Sequence, residues 1–274
     1  MARTDNLTNY LTDVADAIRE KKGTTDVIPA NTFDEEIKNL PSGSGDVSEY
    51  FETTVTNSNK SYFYSKMLKK IPEITIHDDV TNLDDFFWFY KGSVTPVIKN
   101  TSHITSMKNI FYSCENMEET PVIDTSNVTS LYSAFNNCKK MLIAPVMNTA
   151  KVTDMYEIFA SCTNLVTIPQ YDASSLQQIN GFCSWAKNVE NFGGLVNLGK
   201  AYLTTQSANY NPYGLNLSFC TKLTHDSLMN VINNLYDIAS IGVQPQKLVL
   251  GSDNLAKITD EEKAIAQNKG WSLS

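Results

Sequence analysis

Thiols and carboxylates are the groups of this sequence that could do chemistry. There are five cysteines, and Cys114, Cys138 and Cys162 follow one another at equal intervals. An odd number of evenly spaced cysteines does not indicate a disulfide framework, and a metal site would need closer ligands of other types beside them. We therefore expect no metal and no cofactor. The spacing predicts a repeat in which the cysteines form a buried column of small apolar residues.

Two pairs of adjacent carboxylates, Asp78-Asp79 and Asp84-Asp85, are the second candidate for chemistry. A carboxylate pair can serve as acid and base in glycan hydrolysis, but solvated turns between repeat units are the interpretation that we favour. The three histidines are well separated, and no zinc-protease, serine-hydrolase or nucleotide-binding motif occurs. The sequence therefore predicts a protein without catalytic residues that is not an enzyme.

The charge and hydropathy of the chain restrict its partners. The 30 acidic residues outnumber the 22 basic ones, for a net charge of −8. Binding to nucleic acid depends on a basic patch, so we expect no nucleic-acid partner. No run of 18 apolar residues exists to span a membrane, and the N-terminus lacks the apolar segment of a signal peptide. We expect synthesis in a cytoplasm without a signal peptide and no membrane insertion.

An internal repeat is the strongest pattern in the sequence. Three segments of equal length, 104–127, 128–151 and 152–175, align without gaps, and weaker copies precede and follow them. Chance agreement in so many columns is negligible. The columns contain Met107, Leu131, Met155 and Ile179; Phe111, Phe135 and Phe159; Met117, Met141, Leu165 and Val189; and Pro121, Pro145 and Pro169.

A period in the twenties with leucine-like columns predicts an α/β fold of the leucine-rich-repeat type, a solenoid in which stacked units bury a shared core. Met155, Ile158 and Phe159 have helical spacing, and residues 165–171 are short and rich in β-branched residues, as in a strand. We therefore expect one short helix and one short strand in each unit.

The repeat divides the chain into four predicted parts. Residues 1–45 form a helical hairpin and linker for attachment or multimerisation, and residues 46–79 form a β-rich N-terminal cap. Residues 80–198 contain the repeats. Residues 199–274 form a long inserted loop and an α/β C-terminal cap, in which Thr224 caps one helix and Thr259 with Glu262 makes a capping box.

The N-terminal helix carries a candidate multimerisation seam. Its apolar residues are spaced 4, 3 and 4 apart, like the a and d positions of a short coiled coil. Packing of the hairpin on its own chain is the alternative, and we favour a multimer because forty residues fold poorly alone. The seam residues are Leu7, Leu11, Val14 and Ile18.

A candidate binding face follows if the strand alternates as L-x-x-L-x-L. Thr120 and Val122 then point inward with Met117, and the outward positions form an exposed apolar and aromatic stripe, which is typical of an interaction site. Cover of this stripe by another chain or by the inserted loop is an equal alternative. Two loop tyrosines are added because long loops are often functional. The candidate face comprises Ile123, Ile143, Met147, Thr167, Tyr171, Tyr210 and Tyr213.

The repeat closely resembles the BspA-like subfamily of leucine-rich repeats, through the pattern F-x-x-C-x-x-[LM]-x-x-x-P-x-x-[DN]-T-[SA]-x-V-T-x-[LM] over about residues 80–198. Members of that family are surface, adhesion or phage structural proteins. Residues 13–41 also resemble the N-terminal module of tail fibre and baseplate proteins from phages of Gram-positive hosts. That match rests on Asp16, Ala17, Ile18, Arg19, Lys21, Gly23, Ile28, Phe33, Glu36 and Ile37.

Together, these resemblances imply a non-enzymatic protein of a phage tail tip, baseplate or tail fibre, located in the virion. The N-terminus would anchor it and the repeats would contact a host receptor, glycan or protein, or another virion protein. Trimers are usual for such fibres, so the resemblance implies a homotrimer. Alternatives are a capsid decoration or head fibre protein, a bacterial BspA-like adhesin and a glycan-cleaving enzyme.

Overall fold

The computed structural model describes residues 15–16, 18–19, 54–58, 60, 73–201, 203 and 214–274 of the chain. It is a mixed α/β structure with many short strands and few helices. In chain order the strands are β1 (Thr54–Val55), β2 (Glu73–Ile76), β3 (Val97–Lys99), β4 (Thr167–Ile168), β5 (Tyr171–Asp172), β6 (Asn191–Phe192), β7 (Leu195–Val196), β8 (Gly214–Asn216), β9 (Gln246–Val249) and β10 (Trp271–Leu273). The helices are α1 (His225–Asn234), α2 (Gly251–Leu255) and α3 (Asp260–Asn268), with one 3₁₀ turn at Ala239–Ile241.

Successive repeat units lie side by side and in parallel. β2 pairs with β3, β4 with β6 and β5 with β7, and in each pair a residue lies opposite its counterpart one repeat later. Single bridges join Asn82 to Ser106 and continue at the same step through Ser130 and Asp154 to Gln178. Apart from one extra residue at the bridge between Val94 and Glu119, a constant step from Glu73 to Val196 puts equivalent residues of neighbouring units in contact.

The prediction of one short helix in each unit is wrong. Residues 84–89, 108–113, 132–137, 156–161 and 180–185 form turns, which we call the turn ribbon. Within it the N–H groups of Asn109, Phe111 and Ser113 donate to carbonyls of the next unit. The N–H groups in between bond three residues back, as that of Tyr112 does to Asn109. A helix sends each N–H four residues back along its own chain, so the ribbon exchanges half of its local bonds for bonds to the next unit.

Left-handed backbone conformations explain why the ribbon cannot be helical. Two residues in each unit, such as Asn109 and Ser113, have φ values of 52° and 56°. The equivalent positions in the next unit are Ser133 and Asn137. Polar residues and glycine adopt this region more readily than other residues do. The ribbon nevertheless buries apolar side chains at intervals of three and four, so its sequence spacing resembles that of a helix.

The repeat columns form one continuous hydrophobic core. Every residue of the Met107, Phe111 and Met117 columns is at most 4% exposed, including the last unit's Ile179 and Val189. The phenylalanine rings stack from unit to unit, with centroids 5.0 Å apart between Phe87 and Phe111 and 5.3 Å apart between Phe111 and Phe135. Offset stacking adds to the stability gained from burial.

The three evenly spaced cysteines are buried as predicted, but they also donate hydrogen bonds. The Sγ atoms of Cys114, Cys138 and Cys162 lie 3.0, 3.2 and 3.0 Å from the carbonyl oxygens of the phenylalanines in the preceding unit. Each thiol therefore links two units inside the core. Cys183, which occupies the phenylalanine column of the last unit, lies with its Sγ 3.0 Å from that of Cys220.

The C-terminal part closes the end of the stack. β8, β9 and β10 form a parallel sheet in the order β10-β9-β8. Thr224 caps α1 by accepting from the Ser227 N–H, and Thr259 and Glu262 form the predicted capping box of α3. Gly270, with φ of 88°, lets the chain leave α3 and enter β10. The amide of buried Asn254 donates to three backbone carbonyls, two of which, those of Leu217 and Cys220, belong to the turn after β8, and so holds α2 against that turn.

The predicted multimerisation seam is described only at Ile18. Residues 15, 16, 18 and 19 are helical, and Ile18 is 3% exposed in the single chain, so it is not available to a partner chain. The reason is that Ile18 belongs to the chain's own hydrophobic cluster. Leu7, Leu11 and Val14 lie outside the described residues.

We expect Cys138→Ala to lower the free energy of unfolding by about 1–3 kcal/mol, because it removes a buried donor and leaves a small cavity. Urea denaturation of the full chain measures the change. Lys140→Ala is the control, since Lys140 forms only an exposed ion pair with Glu118 in the same part of the chain, and it should change stability by less than about 0.5 kcal/mol. Equal effects of the two substitutions would contradict a structural role for the thiol.

We expect the native protein to resist thiol reagents at pH 8. Burial raises the pKa of the Cys114 and Cys162 thiols to about 12, and that of Cys138 well above its usual value. All five cysteines are buried and free, and the thiolate is the reactive form. Ellman's reagent should react with no thiol in minutes and with all five in guanidinium. A thiol that reacts in the native state as fast as free cysteine would contradict this assignment.

Candidate functional site

The paired aspartates bind neighbouring units. Asp84 Oδ1 accepts hydrogen bonds from the Ser106 hydroxyl at 2.6 Å and the Lys108 N–H at 2.8 Å, and Asp85 accepts from the Asn109 amide at 3.0 Å. Asp78 similarly accepts from the amide of Asn100 at 2.9 Å. Each of these bonds reaches from one unit to the next, so these carboxylates secure the register between units.

The described part of the chain contains no cluster of three or more His, Cys, Asp or Glu side chains placed to hold a metal ion. None of its helices has the length and hydropathy needed to cross a bilayer.

The predicted outward position of Tyr171 is wrong. This side chain is 1% exposed, its ring stacks on Phe159, and its hydroxyl donates to the Pro145 carbonyl at 2.7 Å. Burial raises the pKa of this phenol above its usual value. Ile123 and Met147 occupy the same column and pack, half-buried, against the core.

The column faces inward because alternation fails at the proline of each unit. β4 ends at Ile168, and β5 begins at Tyr171 after Pro169 and Gln170. Two intervening residues put Ile168 and Tyr171 on the same buried side, whereas strict alternation puts them on opposite sides. Proline lacks the N–H that would continue the ladder.

The other predicted face residues have mixed outcomes. Ile143 is exposed, as predicted, at 62%, and Thr167 is half-buried. Tyr210 and Tyr213 lie outside the described residues. Val122, predicted to point inward, is 95% exposed, and this is the largest departure from the predicted face.

The exposed apolar residues form a different surface, which we call the valine ridge. The residue after the proline is Val97, Val122 and Val146 in three consecutive units, and these side chains are 55%, 95% and 85% exposed. Leu142 and Ile143, also more than half exposed, lie beside them. Between two of these units lies an open groove of about 780 Å³, lined by residues 118–122 and 142–146.

The valine ridge had a sequence signal that alternation concealed. The motif Pro-Val-[Ile/Met] occurs at Pro96, Pro121 and Pro145, and the fourth unit has Pro169-Gln170-Tyr171. In three units a β-branched apolar residue is exposed at the same column, and the residue that follows it belongs to a buried column. This recurrence indicates that the repeat itself forms a continuous apolar surface. Contiguous exposed apolar residues usually mark an interaction site.

Comparison with known protein families gives a match that covers the repeat units. Residues 81–193 match the family described as "Mycoplasma protein of unknown function, DUF285". The matched span begins next to the first bridge residue, Asn82, and ends at Gly193, which occupies the proline column. No curated protein and no solved structure matches the chain.

Proposed function

We propose that this chain is a non-enzymatic virion protein of a phage tail tip, baseplate or tail fibre. Its repeat units would form a leucine-rich-repeat-like solenoid of the BspA type, anchored and trimerised through the N-terminal module. The repeats would present a surface to a host receptor or to another virion protein.

The valine ridge is the observation that carries this proposal. Three valines that are exposed at one column of consecutive units lose little conformational freedom on binding, since β-branched side chains are stiff. Burial of such a row against a partner contributes roughly 25 cal/mol for each Å² removed from water. The acidic side chains of Glu118 and Glu119 border the groove, so a neutral or basic partner surface is favoured.

The solenoid part of the proposal is supported by the constant register. Equivalent residues of successive units meet at the same step from β2 to β7, with one extra residue at the bridge between Val94 and Glu119, and the core columns are continuous across the units. Each unit alone leaves half of its ribbon N–H groups without a partner, and the next unit provides the acceptors.

Substitution of the ridge tests the contact role. We expect the double variant Val122→Ser, Val146→Ser to reduce attachment of labelled protein to host cells, or incorporation into virions, at least tenfold with an unchanged Tm. Ile241→Ser is the matched control, because Ile241 is a 50% exposed aliphatic residue in the C-terminal part. Attachment and incorporation that both survive the double substitution would remove the ridge from the proposal.

The predicted trimer has a separate test. Sedimentation of the full chain should give three times the 30.6 kDa protomer mass, and Leu7→Asp with Leu11→Asp should give the monomer, because charge on an apolar seam opposes association. Ser42→Asp, in the predicted linker, is the control. A monomeric unsubstituted chain would overturn the multimerisation role.

A further inference from the structure

A second concave surface lies where the last units meet the C-terminal part, away from the valine ridge. This cavity of about 350 Å³ lies between the turn ribbons of three units and the strand β8. Its size is within the range of small-molecule sites in proteins. Its lining includes Asn136, Tyr156, Glu157, Asn180, Trp185 and Phe219.

Aromatic side chains form one part of the cavity wall. Trp185 is 55% exposed, and its ring lies against that of Phe219 with centroids 4.5 Å apart. Tyr156 is held by the ring of Tyr132, nearly parallel at 4.9 Å. Exposed, laterally supported rings present flat apolar faces to a ligand.

Trp185 occupies a position that three of the four preceding units give to small polar residues and that the first unit gives to Phe89. Its φ is 66°, in the left-handed region, and the equivalent residues of the three units before it are Ser113, Asn137 and Ser161, whereas Phe89 of the first unit has a φ of 57°. A bulky side chain is unfavourable in this conformation. Backbone strain at a bulky residue is more often found at binding sites than elsewhere, and here the strained residue is also the most exposed ring of the cavity.

Planar polar groups form the opposite part of the wall. The Asn136 amide donates to Glu157 Oε2 at 3.1 Å, and Asn136 and Asn180 are only 7% and 8% exposed. Gly181 makes room for this carboxylate, because a Cβ at that position would lie 2.6 Å from Glu157 Cγ. Side chains fixed in this way by the ribbon need little reorganisation to bind.

The charge of the wall limits the class of ligand. Glu157 is the only charged group among the described lining residues, and Lys187 lies against Trp185 with its Nζ 6.0 Å from the ring centroid. A carboxylate in the wall repels an anionic ligand, and the nearby ammonium group makes the net charge of the site close to zero. An uncharged ligand with one apolar face and several hydroxyl groups fits both parts of the wall.

We propose that this cavity binds an uncharged pyranose unit of a glycan, with the C–H face of the sugar ring on Trp185 and its hydroxyls on Asn136, Glu157 and Asn180. This proposal specifies a ligand class for the receptor role proposed above. It rests on that role only for the biological source of the glycan. The binding itself depends on the cavity alone.

A glycan array with the full chain tests the proposal. The array carries uncharged oligosaccharides of hexoses and N-acetylhexosamines beside sialylated, uronic-acid and phosphorylated ones. We expect retention of uncharged glycans and at least a tenfold loss of affinity in Trp185→Ser, which installs the residue that this column carries in two other units. Trp88→Ser, at the similarly exposed Trp88, is the matched control and should bind normally.

The outcomes separate the cavity from the proposed function. No retained glycan, retention of anionic glycans alone, or binding unchanged in Trp185→Ser with an unchanged Tm would each overturn the cavity assignment. Virion incorporation with no glycan binding would leave the virion role standing and overturn only this inference. Glycan binding by a chain that enters no virion would support the cavity and contradict the virion role.

Discussion

The alternating hydrogen bonds of the turn ribbon are the constraint on which the rest of the structure depends. In every ribbon but the last, every second N–H donates to a carbonyl of the following unit, and this fixes each unit against the next one. The left-handed residues that make the pattern possible, such as Asn109 and Ser133, also turn the chain so that the intervening apolar side chains enter the core. The core columns, the thiol bonds and the ties of Asp84 and Asp85 all depend on this register.

The repeated columns of the sequence predicted correctly which side chains are buried, but they did not predict the backbone conformation within each unit. The burial of Met107, Phe111 and Cys114 follows from repetition alone, since stacked units must place equivalent apolar residues together. Intervals of three and four residues in the same segment imply a helix only if the N–H groups bond locally. The alternative, bonding to a neighbouring unit, leaves the same spacing in the sequence, so the pattern could not distinguish the two.

The two candidate surfaces differ in how far the sequence reveals them. The valine ridge repeats at one column and is visible once Val97, Val122 and Val146 are aligned, but the alternation rule assigned Val122 to the core and Tyr171 to the surface. The concave site is not periodic. It joins Glu157 and Trp185 to Phe219, which follows them in the sequence only after β6, β7 and β8, so only the folded chain brings its parts together.

The constant register of the turn ribbon also has a consequence for how such a chain can change length. Insertion of a single residue within the ribbon would shift its bonds to the following unit and misplace a whole column, whereas duplication of one complete unit would preserve each of them. Each added unit with the Pro-Val motif of Pro121-Val122 would also add one valine to the ridge. The number of ridge valines would therefore increase by one with each added unit. A partner whose own contacts have the same spacing would be bound more tightly through avidity, without any new kind of contact.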